Sequence, residues 1–358
     1  MNTRNESLLK ELNGTVKLGE LFCGPGGIGL GAFLAHADGL KIDHIWATDY
    51  DKDTCKTYRN NLHPKEIICE DVRKLDFEKI LQKHGNIDCL TFGFPCNDFS
   101  SVGEQKGLGG TFGALYQYCV KALNVFNPKF FIAENVSGLK NANEGTAFSL
   151  ILQEFENAGY KIYPNLYCFE TYGVPQKRHR IIIVGIREDI NISFKIPSNK
   201  PYEKTDNSVR TALKNIPENV ANNEKTIQSD KVIERLKYIK EGENAFTAKI
   251  PPELQLNVKG AKISQIYKRL KADEPSYTIT GSGGGGTHVY HYKENRALTN
   301  RERARLQTFT DNFVFYGSKE SVRKQIGMAV PPQGIKIIFE ALLNCIIGKE
   351  YETMEAKV

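Results

Sequence analysis

Cys89-Leu90-Thr91-Phe92-Gly93-Phe94-Pro95-Cys96-Asn97-Asp98-Phe99-Ser100-Ser101 is the stretch from which the rest of the chain can be read. Its first four residues are an apolar run of strand length. The run breaks at Gly93 and Pro95 into a polar loop, and the break carries a cysteine. A strand that ends in a turn presents its last side chains at the rim of a sheet. In open α/β sheets that rim, outside the carboxyl ends of the strands, is where ligands bind. A thiolate there is the strongest nucleophile among the common side chains. Taken alone, Cys96 reads more readily as a small buried apolar residue, as free cysteines usually are. The surrounding pattern decides between the two.

Upstream, residues 16–22 read as a strand that runs straight into Cys23-Gly24-Pro25-Gly26-Gly27-Ile28-Gly29. Gly24, Gly26 and Gly29 fit G-x-G-x-x-G, in which glycines let the backbone turn sharply and approach a ligand. A second strand over 44–48 ends in Asp49, placed some twenty residues past the glycines to bind ribose hydroxyls. A third, over 67–72, brings Asp71 to the same rim. A lone rim acid is more often a helix cap, but three rim features in register favour a ligand pocket, with Phe22 in its wall.

Downstream, a glycine-containing loop over 103–113 is long for a compact domain and reads as functional. Helical spacing follows over 112–123. A buried-strand signal over 129–133 ends in Glu134-Asn135-Val136, and a helix over 146–158 stops at Gly159. Gln176-Lys177-Arg178-His179-Arg180 leads into a strand over 181–186, with both arginines in phase on one side. A short helix over 2–12 opens the chain. This alternation predicts an α/β fold with a doubly wound, mostly parallel sheet. Beyond Glu188 the chain turns Lys-, Asn- and Pro-rich. We therefore expect a first domain of residues 1–187 plus 327–358 and a smaller one of 188–326. Thr299 with Glu302 makes a capping box for a helix over 300–307. An apolar helix over 334–347 is expected to pack back on the first domain.

At 358 residues, 40% hydrophobic and 25% charged, the composition is that of an ordinary globular protein. The sequence pattern gives no run expected to cross a bilayer, and a polar N-terminus unlike a signal peptide, so a cytoplasmic location is expected. The eight cysteines include no C-x-x-C pair, which argues for reduced thiols and no metal. The net charge is +6, and it is uneven: residues 188–324 hold 24 Lys and Arg against 17 Asp and Glu. A basic second half suits a polyanionic partner, although charge alone also fits a solvated surface.

The order of the blocks now becomes specific. Leu21-Phe22-Cys23-Gly24-Pro25-Gly26-Gly27, Gly93-Phe94-Pro95-Cys96-Asn97-Asp98-Phe99-Ser100, Glu134-Asn135-Val136, Gln176-Lys177-Arg178-His179-Arg180, Arg301-Glu302-Arg303-Ala304-Arg305 and Gly327-Met328-Ala329-Val330-Pro331 resemble, in sequence, the DNA (cytosine-5) methyltransferases of bacterial restriction–modification systems. The resemblance spans nearly the whole chain. It implies the adenosylmethionine-dependent methyltransferase fold with a small target-recognition domain. It also implies that Cys96 adds to carbon 6 of a flipped-out cytosine, making carbon 5 nucleophilic. Glu134 then serves ring nitrogen 3, which requires a carboxyl kept protonated. By resemblance Asn135 helps hold the base, Arg178 contacts it and Arg180 supports the site. S-adenosylmethionine would sit against Phe22, Gly24, Gly26, Gly27, Asp49, Asp71, Pro95, Leu115, Ala329 and Val330. Ser100 and the pair Thr278-Ile279 would meet the DNA. Expected partners are double-stranded DNA and, functionally, a restriction endonuclease; a monomer is expected.

Three residues depart from the family pattern: Asn97 stands for Gln, Met328 for Asn, and His179 for Glu. None removes the nucleophile, the acid or the cofactor turn. Two other readings compete. A tRNA cytosine methyltransferase would use the same core, but the long basic region suits a duplex. A nicotinamide-dependent oxidoreductase would explain the glycines and Asp49, and would leave Cys96, Glu134 and the arginines without a role.

Overall fold

A computed structural model describes residues 3–94, 115–256, 264–282 and 285–358. The chain runs α1 (Thr3–Leu12), β1 (Thr15–Leu21), α2 (Gly27–Leu34), β2 (Lys41–Asp49), α3 (Lys52–Leu62), β3 (Glu66–Cys69), α4 (Phe77–His84) and β4 (Cys89–Phe92). It continues through α5 (Tyr116–Phe126), β5 (Phe130–Val136), α6 (Thr146–Asn157), β6 (Tyr160–Cys168), β7 (His179–Arg187) and β8 (Ile196–Pro197). The short α7 (Val209–Ala212), α8 (Asp230–Lys237), α9 (Asn300–Leu306), α10 (Lys319–Met328), α11 (Pro332–Ile347) and β9 (Thr353–Met354) complete it.

Two compact units emerge. The first holds Met1–Phe169, His179–Pro201 and Pro332–Val358; the second holds Glu170–Arg178 and Tyr202–Pro331. The crossings thus fall at different places from the 187/188 and 326/327 boundaries expected from composition. Residues 170–178 join the second unit because Gln176 bridges Ser276, with Lys177 N donating to Ser276 O at 2.7 Å.

The first unit is built on a seven-stranded sheet in the order β3-β2-β1-β4-β5-β7-β6. The pairs among β3, β2, β1, β4 and β5 are parallel, and β7 runs antiparallel between β5 and β6. The chain leaves β1 towards β2 and leaves β4 towards β5, so the sheet reverses its strand order between β1 and β4. A crevice opens outside the carboxyl ends at such a reversal. Register makes the point local. Leu21 pairs with Phe92, and Phe92 with Ala133, so Phe22, Gly93 and Glu134 come next in line at one rim. The strand β6 carries no clear signal in sequence because Pro164 interrupts it. A proline is tolerated there because β6 is an edge strand.

The core follows from the apolar runs. Phe92 stacks on Phe131 with centroids 5.7 Å apart, and Phe155 meets both rings edge-on. Gly185 of β7 lies directly under Phe131, where a Cβ would fall 1.9 Å from the ring. As expected, α11 packs in this unit, against α2. Residues Lys319–Ile347 are long and apolar enough to cross a membrane, a stretch that the sequence pattern alone does not bring out. However, 67% of their most apolar window is buried inside the protein, and the stretch is divided into α10 and α11.

The second unit has little regular structure. Its described β pairing is limited to isolated bridges, and a small apolar cluster includes Leu236, Ile239, Tyr267 and Tyr290. Irregular backbone leaves carbonyls without ladder partners, and these must be satisfied in another way. Arginine, with five donors, does so here. Arg269 donates to the carbonyls of Leu236, Ile239, His291 and Glu294. Buried Arg301 donates to Ala221, Thr310 and Phe313. Part of the basic charge noted in sequence therefore holds the fold together.

Candidate active site

The turn after β1 is closed by its own backbone. Phe22, Gly24 and Gly26 have φ of 53°, 55° and 103°, left-handed values that suit the two glycines and strain the phenylalanine. Asp49, at the end of β2, accepts from Gly24 N at 3.0 Å through one oxygen and from Asp51 N at 3.0 Å through the other. Burial raises its pKa, against the pull of these bonds. Asp49 thus shapes the turn as well as standing at the rim. A Cβ on Gly24 would meet nothing within 4 Å, so the turn has an open side. Gly27 starts α2 and turns its buried face inward. An open left-handed turn, an acid at the next strand end and an aromatic residue beside them fit an adenosine-type cofactor.

Asp71 caps the short turn after β3. It accepts from Arg73 N at 3.0 Å and pairs with the Arg73 guanidinium, which holds its carboxyl down at about 2. Beneath the turn lies a polar group with no signal of its own in sequence. Tyr58 donates to buried Glu20 Oε2 at 2.7 Å, and His44 Nδ1 lies 3.1 Å from the same hydroxyl. Burial pushes the Glu20 carboxyl up to about 8 and His44 down to about 4.

One strand over, β5 delivers Glu134 and Asn135 to the rim. Arg180 Nε lies 2.8 Å from Glu134 Oε1, and both side chains are mostly buried. Glu134 Oε2 faces the β4 exit, 3.1 Å from where a Cβ on Gly93 would sit. Asn135 is buried and committed: Nδ2 donates to Phe94 O at 3.2 Å and Oδ1 accepts from Val136 N at 2.9 Å. Its amide fastens the backbone two residues before Cys96. Pro95, Cys96 and Ser100 lie outside the described residues. The other cysteines are poor nucleophiles where burial pushes the thiol up, as at Cys23, Cys55, Cys89, Cys119 and Cys345. Leu115 is buried at the start of α5.

The two arginines that sequence places in phase belong to different units. Arg180 belongs to β7 and to Glu134, whereas Arg178 lies before the strand, in the second unit. Arg178 is fully buried, and its Nη atoms donate to Ile279 O at 2.9 Å and Gly327 O at 3.0 Å. Ile279 is also fully buried, its amide donating to Gln176 Oε1 at 2.8 Å. Its side chain is packed inside the second unit. Thr278 Oγ1 donates to Lys177 O at 2.7 Å. Gln176 Nε2 reaches Gln307 Oε1, and Gln307 Nε2 donates to Ile326 O and Ala329 O. Gly327 is needed because a Cβ there would lie 2.0 Å from Gly281 N. Ala329 and Val330 are buried in this unit, just past α10. Residues of the 176–180 and 327–331 blocks therefore meet, with Ile279 and Gln307, in one buried seam of the second unit. Gln307 had no signal of its own in sequence.

A seven-stranded, mostly parallel sheet with this rim is the architecture of adenosylmethionine-dependent methyltransferases, and the comparisons agree. The chain belongs to the C-5 cytosine-specific DNA methylase family, whose model matches residues 16–344, and it is a DNA (cytosine-5-)-methyltransferase. It is 54% identical over 351 residues to the type II methyltransferase M.BbvI of Brevibacillus brevis, covering 95% of this chain and 94% of that one. It is 41% identical to M.NgoFVII of Neisseria gonorrhoeae, covering 99% of this chain and 93% of that one. Among solved structures, Spodoptera frugiperda DNMT2, a mutant form, superposes with a TM-score of 0.63 at 16% identity, covering 92% of this chain and 99% of that one. That likeness concerns the fold alone.

Proposed function

We propose that this enzyme methylates carbon 5 of cytosine at a short duplex DNA site, with S-adenosylmethionine as donor and Cys96 as the covalent nucleophile. The observation that carries the reading is the alignment of Phe22, Gly93 and Glu134 across three adjacent strands. It brings the cofactor turn, the backbone leading to Cys96 and a carboxyl to one rim.

The target carbon is shielded in a duplex, so the base must leave the stack. Carbon 5 of cytosine is then too weakly nucleophilic to take a methyl group directly. Cys96 adds as thiolate to carbon 6, and the electron density gained on the ring is met at nitrogen 3 by the Glu134 carboxyl. Asn135 acts through the backbone, tying Phe94, two residues before Cys96 in sequence, to β5. Arg180 orients Glu134 by pairing with Oε1, which leaves Oε2 towards the β4 exit. Bound S-adenosylmethionine supplies an electrophilic methyl group on its sulfonium. The turn residues Phe22, Gly24, Gly26 and Gly27, with Asp49 and Asp71 at the strand ends, are the groups suited to hold it. Loss of the carbon 5 proton and of the thiol frees the product. Relatives carrying restriction-type methyltransferase names support a role as the modification partner of an endonuclease, acting in the cytoplasm.

The test is to incubate the protein with S-adenosylmethionine and a mixed-sequence duplex library, then read 5-methylcytosine at single-base resolution. One short methylated motif is expected. Marking of tRNA in place of the duplex would overturn the reading.

A further inference from the structure

The arginines of the second unit fall into three groups. Arg178, Arg235, Arg269, Arg301 and Arg305 donate to backbone carbonyls. Arg210 pairs with Asp273, and Arg296 with Glu294 and Glu302. Arg303 and Arg323 do neither: among the described residues, no hydrogen bond or ion pair engages either guanidinium. Arg303 is only 2% exposed, on α9, and Arg323 lies on α10, which packs against α9. The Nε of Arg323 is enclosed and has no partner.

The two cations are neighbours. Burial first, and then the Arg323 charge, push Arg303 down to about 10, so it still carries its charge at neutral pH. His288 stands beside both and is held neutral, pushed down to about 4 by burial and then by the two arginines. The one carboxylate that acts on Arg303 is Glu302, and it is already engaged. Arg296 takes both of its oxygens at 2.7 and 2.8 Å, and Thr299 N donates to it at 2.7 Å. A fold that satisfies its other arginines so fully leaves these two, on packed helices, without a counter-charge. Buried like charges are unfavourable unless an anion completes them. Paired guanidinium groups are the geometry of choice for a tetrahedral phosphate, which accepts from several donors at once.

We propose that Arg303 and Arg323, with His288, form an oxyanion site that takes one backbone phosphate of the bound DNA. The site rests on the reading of the chain as a DNA methyltransferase. It would fix the register of the second unit on the duplex without reading bases. Its position fits: His288 lies two residues past the glycine run 281–286, and the start of that run packs directly on the backbone of α10 at Lys324.

The experiment measures duplex affinity against salt for the full chain with S-adenosylmethionine present. Each phosphate contact contributes about one to the slope of log affinity on log salt. Arg303→Gln and Arg323→Gln should each lower the slope by about one, and the double variant no further, because one phosphate is shared. Target and non-target duplexes should weaken alike, and Arg323→Lys should keep most of the slope. Thermal melting reports whether each variant is folded. Arg323, less buried than Arg303, keeps the test open if Arg303→Gln does not fold. A wild type that methylates DNA while folded variants keep its slope overturns the site alone. The same follows if inorganic phosphate stabilises wild type but neither variant and the DNA slope is unchanged, since that is a free-anion site. A wild type with no salt-dependent DNA binding overturns the underlying reading as well.

Discussion

At the scale of single residues, the chemistry divides between groups that act and groups that hold them. Cys96→Ala should abolish methyl transfer while leaving duplex affinity near wild type, as checked by a binding titration beside the transfer assay. Glu134→Gln should slow transfer by ~10²–10⁴-fold, the range for loss of general acid help; a near-normal rate would mean that the base is activated in another way. Asn135 is different in kind, since its amide goes to the carbonyl of Phe94. Asn135→Ala should lower kcat and leave cofactor affinity unchanged in an equilibrium titration. Sequence named Cys96, Glu134 and Asn135 through the resemblance, but only geometry separates Asn135 as a positioning residue. The same holds for Arg178 and Arg180. Their alternation puts them in phase on one side, and backbone connectivity sends them to different units. Glu20 was invisible in sequence because an acid inside a strand looks like any exposed charge. Its folded pKa of about 8 exceeds the ordinary 4.5, so stability should fall as pH rises from 4.5 through 8. His44, depressed from 6.5 to about 4, works on the other side, with stability lost as pH falls through that window. Glu20→Gln should flatten the alkaline decline in denaturation midpoints between pH 6 and 8. Parallel decline in both proteins would contradict the assignment.

At the scale of elements, period and punctuation were enough for most of the sheet. The strands β1, β2, β4 and β5 are short apolar runs closed by glycine, acid or polar turns, and each is present within a few residues of its expected bounds. The capping box is complete, with Thr299 accepting from Glu302 N and the Glu302 side chain accepting from Thr299 N. By contrast, β6 was hidden by Pro164 and by the mixed burial of an edge. The antiparallel direction of β7 follows from the direct return out of β6, a long-range fact with no local mark. Gly185 shows how tightly the central layer is fitted. Gly185→Ala should destabilise by about 1–3 kcal/mol through overpacking against Phe131, measured by chemical denaturation. An unchanged midpoint would mean that the ring has room to move.

At the scale of the whole molecule, composition found two parts but could not draw their border. The seam of Gln176, Arg178, Ile279, Gln307 and Gly327 joins segments more than a hundred residues apart in sequence, and such joins leave no trace in local pattern. Charge misled in the same way, because many arginines of the basic half serve backbone carbonyls. Exchanging residues 202–275 for those of a relative, with the seam kept, should change the methylated motif and preserve the reaction; an unchanged motif would place sequence reading elsewhere. The central claim is covalent catalysis by Cys96, and one measurement reaches it whatever the target site is. A mixed-sequence duplex with 5-fluorocytosine in place of cytosine should trap the enzyme after methyl transfer, since fluorine at carbon 5 cannot leave as a proton does. Peptide mapping by mass spectrometry should find the adduct on Cys96, and only when S-adenosylmethionine is present. Methyl transfer to ordinary duplex without any trapped adduct, or an adduct on another residue, would contradict the account.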